Sequence, residues 1–392
     1  MGRGHEFQIG ASVMVEDLDR DPHAVAARLR GSEPVSWLPA AGGWLVTRYD
    51  LAVAVMRDAE RFTVEDARFS TARVIGPSML SLDGTEHRRH RAPFVEPFRA
   101  RAVRARFAEA VAREADRLLG ELAPAGRAEL RRSYAGRLAA GVVALALGLE
   151  PGAAPSVLAW YDAIAAAVTE ITARRALPAA GRGAFAALDR RLRAVIDGEA
   201  EGSLLASVAA SSDLSAGEIV SDAAVLLFGG IDTSESMIAN ALMHVLVHPE
   251  ALAGIRRDSQ LLEGAIEESL RLEPSASVID RYATRDTELA GASIAAGELV
   301  RVSIAGANRD PAVFPDPDRF DPGRPNARRH LSFARGPHVC LGLHLARLEA
   351  RCAVDAALSR LPHLRLDPVR PPEVSGLVFR KPRALHARWD AQ

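Results

Sequence analysis

The sequence predicts a mainly α domain with a minor β lobe. Two observations carry this. Apolar residues recur at helical spacing through most of residues 50–271. After Pro274 the pattern changes to short alternating segments punctuated by Ala290-Gly291 and Ala296-Gly297.

In chain order, strands are expected at residues 35–38 and 43–47 and a helix at 50–57. Residues 99–122 are rich in Ala, Arg and Leu, which lose little freedom in a helix, and read as an amphipathic one. Further helices are expected at about 131–149, 153–173, 181–197 and 202–210. A long helix covers about 215–247 and stops before His248-Pro249, because the residue preceding a proline avoids helical angles. Shorter helices follow at 250–257 and 259–271, then strands at 278–284, 288–289, 292–294 and 299–303. A proline-rich loop at 310–325 leads to Cys340 and a last helix at 341–360. No repeat, low-complexity tract or Gly/Ser linker divides the chain, so residues 1–392 read as one domain. Its β-rich lobe is expected from about 30–60 and 278–307, together with C-terminal strands.

Composition narrows the function. Forty-nine Lys and Arg balance fifty Asp and Glu, a formal charge of -1, so no basic excess points to nucleic acid. Lys381 is the only lysine. Cys340 and Cys352 are the only cysteines, which excludes a disulfide framework and a four-cysteine metal site. Residues 1–22 hold no apolar signal-peptide core, and the longest apolar stretch, 138–149, falls short of a bilayer span. A soluble cytoplasmic protein with no membrane attachment is therefore expected, and a monomer.

The chemistry centres on Cys340, which follows a Gly/Pro loop and precedes a helix. Unpaired backbone N–H groups and the helix dipole stabilise a thiolate there. Phe333 would cover one face of the loop, Gly336 permits a sharp turn, and Gly342 lets the backbone approach a flat ring. A lone cysteine is ordinarily a buried structural residue. The flanking residues overturn that: Phe333-x-x-Gly336-x-His338-x-Cys340-x-Gly342, followed by Leu345-Ala346-Arg347-x-Glu349, resembles the haem-ligand signature of the cytochrome P-450 family. Ala334 departs from it, standing where Gly or Ser is usual, and only a minor change in loop geometry is expected.

A second segment, Gly229-Gly230-Ile231-Asp232-Thr233-Ser234, lies inside the long helix. Adjacent glycines in a helix interior cost about 1 kcal/mol each, which suggests a kink or a close backbone approach. An acid beside an alcohol offers a proton relay. The stretch resembles the family's oxygen-activation motif, with Ser234 replacing a second Thr. Glu268-Ser269-Leu270-Arg271 resembles the family's Glu-x-x-Arg, and Pro317-Asp318-Arg319-Phe320 its partner segment, which implies a network of Glu268, Arg271 and Arg319 bracing the cysteine loop.

The resemblance spans His87 to Glu349 and implies the cytochrome P-450 fold, with haem b held by the metal ligand Cys340 among Phe333, Gly336, His338 and Gly342. It implies propionate contacts from His87, Arg91, Arg281 and His338, while Arg88, Arg89 and His90 read as a solvated helix face. It implies a largely apolar substrate pocket of Val74, Ile75, Leu226, Gly229, Gly230, Val278, Ile279, Leu377 and Val378, with Ser275 and Ser277 as polar contacts. The helices at 153–197, joined near 176–183, would form a lid. The implied activity is a haem-thiolate monooxygenase that uses O2 to oxidise a small-to-medium organic substrate, in secondary metabolism. Hydroxylation, oxidative coupling, desaturation and rearrangement all remain open, and a haem sensor without turnover is the contrasting class. Electrons are expected from NAD(P)H through a reductase and an external ferredoxin; Arg99, Arg101, Arg104 and Arg106 read either as its docking face or as a merely solubilising helix face.

Overall fold

The computed structural model describes residues 6–391 except 151, 173–175, 177 and 199–202. Helices form wherever good helix formers coincide with one-sided burial. Those that build the site are α1 (Gly84–Val95), α2 (Ala100–Leu122), α3 (Arg137–Ala146), α4 (Ala154–Thr172), α5 (Ala179–Asp197), α6 (Ala216–Val247), α7 (Leu261–Leu272) and α8 (Leu343–Arg360). Helix α2 buries Val103, Phe107, Val111, Ala115 and Leu118 along one stripe and packs against α8. Helix α6 begins at a capping box between Ser215 and Glu218 and is buried along most of its length. It packs against α3, α7 and α8, and so forms the axis of the molecule.

The glycines at 229 and 230 do not break α6, which is helical from Ala216 to Val247. Their use is steric. A Cβ on Gly230 would lie 2.8 Å from Val143 Cγ2, whereas one on Gly229 would meet nothing within 4 Å. The helix expected over 131–149 is divided: Arg131–Gly136 is a π-helix, and α3 then runs to Ala146. The wider turn places Arg131 and Arg132 on the buried Glu235 of α6, at 2.7 and 3.4 Å.

Five strands make the main sheet: β1 (Val35–Leu38), β2 (Gly43–Val46), β3 (Phe62–Thr63), β4 (Val278–Ala283) and β5 (Leu299–Ser303). Their order is β1-β2-β5-β4-β3, with β2 parallel to β5 and the other pairs antiparallel. Trp44 lies opposite Val300 and packs edge-on against Phe7 and Trp37 at 5.1 and 5.5 Å. The C-terminal strands do not join this sheet. His386–Arg388 pairs with Arg127–Glu129 and Arg365–Leu366 instead, and Val374–Ser375 pairs with Lys381–Pro382. No single helix among the described residues is long and apolar enough to cross a membrane.

The ion network that carries the cysteine loop differs from expectation in one member. Arg271 and Glu268 are fully buried and joined by two bonds of 2.7 and 2.8 Å. The third member is Arg324, whose Nε donates to Glu268 at 2.8 Å, and not Arg319. The turn from Asp316 to Arg319 points the Arg319 carbonyl inward, where it accepts from Arg271 and Arg324, and leaves the side chain exposed. Arg271 also donates to the carbonyls of Asn308 and Pro317, so the loop is gripped by its backbone. Removing one partner of a buried pair strands a charge. Arg324→Ala should therefore lower unfolding free energy by about 3 kcal/mol, and Arg319→Ala by less than about 0.5 kcal/mol, as read by urea denaturation.

Candidate active site

Cys340 and Thr233 line the same cavity. Phe333, Cys340, Leu341 and Gly342 come from the loop before α8, and Leu226, Gly229, Gly230 and Thr233 come from α6. Met79, Phe98, Val143 and Ile304 add apolar surface.

The loop is shaped by its own backbone. The Cys340 N–H donates to the Phe333 carbonyl at 2.8 Å, and turns close from Ala334 to Leu331 and from Val339 to Gly336. Gly336 has φ +77°, and a Cβ there would lie 2.4 Å from the Met56 carbonyl oxygen. Ala334 also adopts φ +57°, a left-handed conformation that strains an alanine. Burial pushes the Cys340 thiol up, opposed by the Gly342 N–H and by the guanidinium groups of Arg91 and Arg347. A coordinated metal cation reverses that balance and holds the sulfur as thiolate.

The surroundings fit an iron porphyrin. Cys340 offers one sulfur donor on the cavity wall, and Gly342 and Gly229 leave open the space a Cβ would take. A buried polar atom also waits for a partner: His87 Nε2 has none. The His87 ring lies tilted against His338, centroids 4.3 Å apart, and burial, aided by His338 and Arg91, pushes His87 down to about 4. Arg91 and His338 line the cavity, and Arg91 also donates to the Val339 carbonyl at 2.6 Å. Arg281 is buried and bonded to the Asp280 carbonyl at 2.8 Å, and is not part of the wall. Asp83, which the motifs did not flag, bonds His338 at 2.8 Å and Thr63 at 2.7 Å.

On α6 the acid and the alcohol have different partners. Thr233 Oγ1 donates to the Gly229 carbonyl one turn back. The Asp232 carboxylate is paired with Lys381, the chain's only lysine. Lys381 lies 3.7 Å from Glu235 as well. Ser234 donates to the buried Glu349 of α8 at 3.0 Å. The other Glu349 oxygen has no partner, and burial pushes this carboxyl up to about 8.

Two other expectations change. His90 is not solvated: it is buried, 2.9 Å from the Asp222 carboxylate of α6, whose second oxygen accepts the Met79 N–H at 2.7 Å. Arg89 is half-buried and bonds Glu218, while Arg88 remains exposed. Of the expected pocket residues, Leu226, Gly229, Gly230 and Ile279 line the cavity, as do Ser275 and Ala276. Val74 and Ile75 pack into the main core, and Val278 is buried on the strand face opposite Ile279. Leu377 packs against the cluster of Val13, Leu18 and Leu29, and Val378 is exposed. Ser277 is buried outside the wall. The joint at 176–183 falls partly outside the described residues.

Known proteins share this sequence pattern and fold. The sequence profile of the cytochrome P450 family matches residues 191–386. The chain is 37% identical to cytochrome P450 monooxygenase PikC of Streptomyces venezuelae, over 95% of this chain and 92% of that one. It is 33% identical to the 20-oxo-5-O-mycaminosyltylactone 23-monooxygenase of Streptomyces fradiae, over 86% and 82% of the two chains. Among solved structures, cytochrome P450 CYP109Q5 from Chondromyces apiculatus superposes with a TM-score of 0.86 at 29% identity, covering 98% of this chain and 99% of that one.

Two substitutions probe the loop and its support. Ala334→Gly relieves a left-handed alanine worth about 1–2 kcal/mol, less the entropy glycine adds to the unfolded chain. The expected net gain is about 0.5–1 kcal/mol in urea denaturation. For Glu349, the folded state keeps its proton up to about pH 8, whereas the unfolded chain releases it near about pH 4. The folded chain thus binds the extra proton across that window, and stability falls as pH rises through it. Glu349→Gln should remove this slope, so its advantage over wild type grows from about pH 4 to about pH 8 and then levels off.

Proposed function

Because the chain belongs to the cytochrome P450 family, we propose that it is a monooxygenase of secondary metabolism acting on a largely apolar organic molecule carrying a few polar groups. The observation that carries this reading is the shared cavity: the only thiol on its wall, among the described residues, is Cys340, and Thr233 lines it from α6. The substrate of the Streptomyces fradiae relative, by its name a glycosylated lactone, is of this type.

Bound through the Cys340 sulfur, haem b would supply an iron that activates O2, with the thiolate pushing electron density toward it. The rest of the work belongs to the protein. Arg91, His338, His87 and Arg281 are the groups to hold propionates, the first two from the cavity wall. The apolar lining excludes bulk water and orients substrate by shape, with the Ser275 hydroxyl, buried and unpartnered, as a polar contact. Thr233 presents a hydroxyl that passes a proton toward the cavity, and Asp232 is the acid that resupplies it from the solvent side. Lys381 holds that carboxylate away from Thr233, so Asp232 must leave the lysine to deliver a proton. Electrons come from NAD(P)H through a reductase and a ferredoxin-type donor, for which the exposed Arg99, Arg101 and Arg104 offer a basic surface.

The test is spectral, then chemical. Reduced holoprotein under carbon monoxide should show the red-shifted Soret band of thiolate ligation, and Cys340→Ala should lose it. With a ferredoxin, its reductase, a panel of lactones and oxygen-18 gas, the product should gain one labelled oxygen atom. An ordinary Soret position in the wild type would refute the assignment, and a product lighter by two hydrogens would replace hydroxylation by desaturation or coupling.

A further inference from the structure

Behind the ligand loop lies a second charged cluster, separate from the Arg271 network. Arg347 of α8 holds Glu267 of α7 through two bonds, Nε to Oε1 at 2.6 Å and Nη2 to Oε2 at 2.9 Å. Its guanidinium carbon stands 4.5 Å from the ring centroid of Phe333, the residue whose carbonyl receives the Cys340 N–H. His330 completes the group: its Nε2 is 3.2 Å from Glu267, and its ring centroid is 5.7 Å from Phe333. The Ser332 N–H donates to His330 Nδ1, so the ring proton sits on Nε2, directed at the carboxylate. The imidazole is therefore neutral, and the cluster holds one cation and one anion.

Glu267 and His330 are nearly inaccessible, 2% and 1% exposed, while Arg347 is partly exposed. A loop brace would need only the Arg347–Glu267 bonds. Stacking the cation on Phe333, whose carbonyl holds the Cys340 N–H, adds something else: a positive charge whose field reaches the sulfur through a low-dielectric side chain. The guanidinium lowers the energy of negative charge on Cys340.

We propose that Arg347 and Glu267 form a charge lever on the reduction potential of the thiolate-bound iron. The inference rests on the haem-thiolate reading above. In the step concerned, one electron passes from the reduced ferredoxin-type donor to the iron, the donor is oxidised by one electron, and no bond is made or broken. The reduced site carries one more negative charge, so the Arg347 cation favours it and the Glu267 anion opposes it. Arg347 thus acts as a positioning and tuning residue through Phe333, and it touches neither substrate nor reacting atoms.

The two partners must then act with opposite signs, which a merely structural pair would not do. The experiment is a spectroelectrochemical titration of wild type, Arg347→Gln, Arg347→Lys and Glu267→Gln holoenzymes, each first verified by the thiolate-type carbon monoxide band. Arg347→Gln should make reduction less favourable by about threefold to tenfold, where tenfold corresponds to about 59 mV for one electron. Glu267→Gln should shift the potential the other way, by a comparable factor. Arg347→Lys, which keeps the charge but not the paired bonds and stacking, should shift the potential less than Arg347→Gln does. Shifts of the same sign in Arg347→Gln and Glu267→Gln, or no shift in either, would overturn the lever, as would a lysine variant that behaves like the glutamine one. If Arg347→Gln fails to bind haem, Glu267→Gln decides alone, and an unchanged or lowered potential overturns the proposal. A wild type without the thiolate band would instead refute the functional reading on which it rests.

Discussion

A guanidinium shut away from water is the constraint around which the site is assembled. Arg271 is fully buried, and an unpaired charge there would cost several kcal/mol, more than most single interactions supply. Its partners are therefore obligatory: the Glu268 carboxylate and the carbonyls of Asn308, Pro317 and Arg319. Satisfying Arg271 fixes the backbone of the proline-rich loop. The same grip passes on through Asn308, whose side-chain oxygen receives the Leu331 N–H at 2.7 Å and whose amide nitrogen donates to Ser332 at 2.9 Å. The next residue is Phe333, whose carbonyl holds the Cys340 N–H. The sulfur is thus positioned by a continuous run of polar contacts that begins at one buried charge.

The opposite wall obeys the same rule in a different form. Helix α6 is buried along most of its length yet carries Ser221, Asp222, Asp232, Ser234, Glu235 and Asn240. Each finds its partner on another element: Ile75, His90, Lys381, Glu349, Arg131 and the carbonyls of Glu273 and Arg380. Buried polar groups cannot rely on water, so these bonds fix the rotation of the helix, and with it the side of α6 that presents Gly229 and Thr233 to the cavity. The cation on Asp232 comes from the C-terminal strand pair. The C-terminal strand pair is therefore tied to α6 through this ion pair.

Much of the fold was legible because helices and strands are decided by neighbours in sequence. Expected bounds for the long helix, for 99–122 and for β5 fall within a residue or so of those found. The reading failed where a residue's role depends on which way its backbone turns. Arg319 and Arg324 both lie in the proline-rich loop, and only the inward turn of the Arg319 carbonyl leaves the task to Arg324. Val278 and Ile279 are adjacent, and strand alternation gives the cavity only the second. His90 read as solvated because its partner Asp222 is 132 residues away.

By itself the sequence determined the elements and marked out the candidate cysteine and the acid–alcohol pair, since each is written as a local pattern: periodicity, a turn-forming glycine, a spaced motif. The tertiary structure alone decided the company those residues keep. It gave Asp232 a lysine, Phe333 a guanidinium and Glu268 a second arginine from five residues beyond the expected one. The physical reason is that removing a charge from water makes a partner compulsory, and which partner is near depends on how distant segments pack.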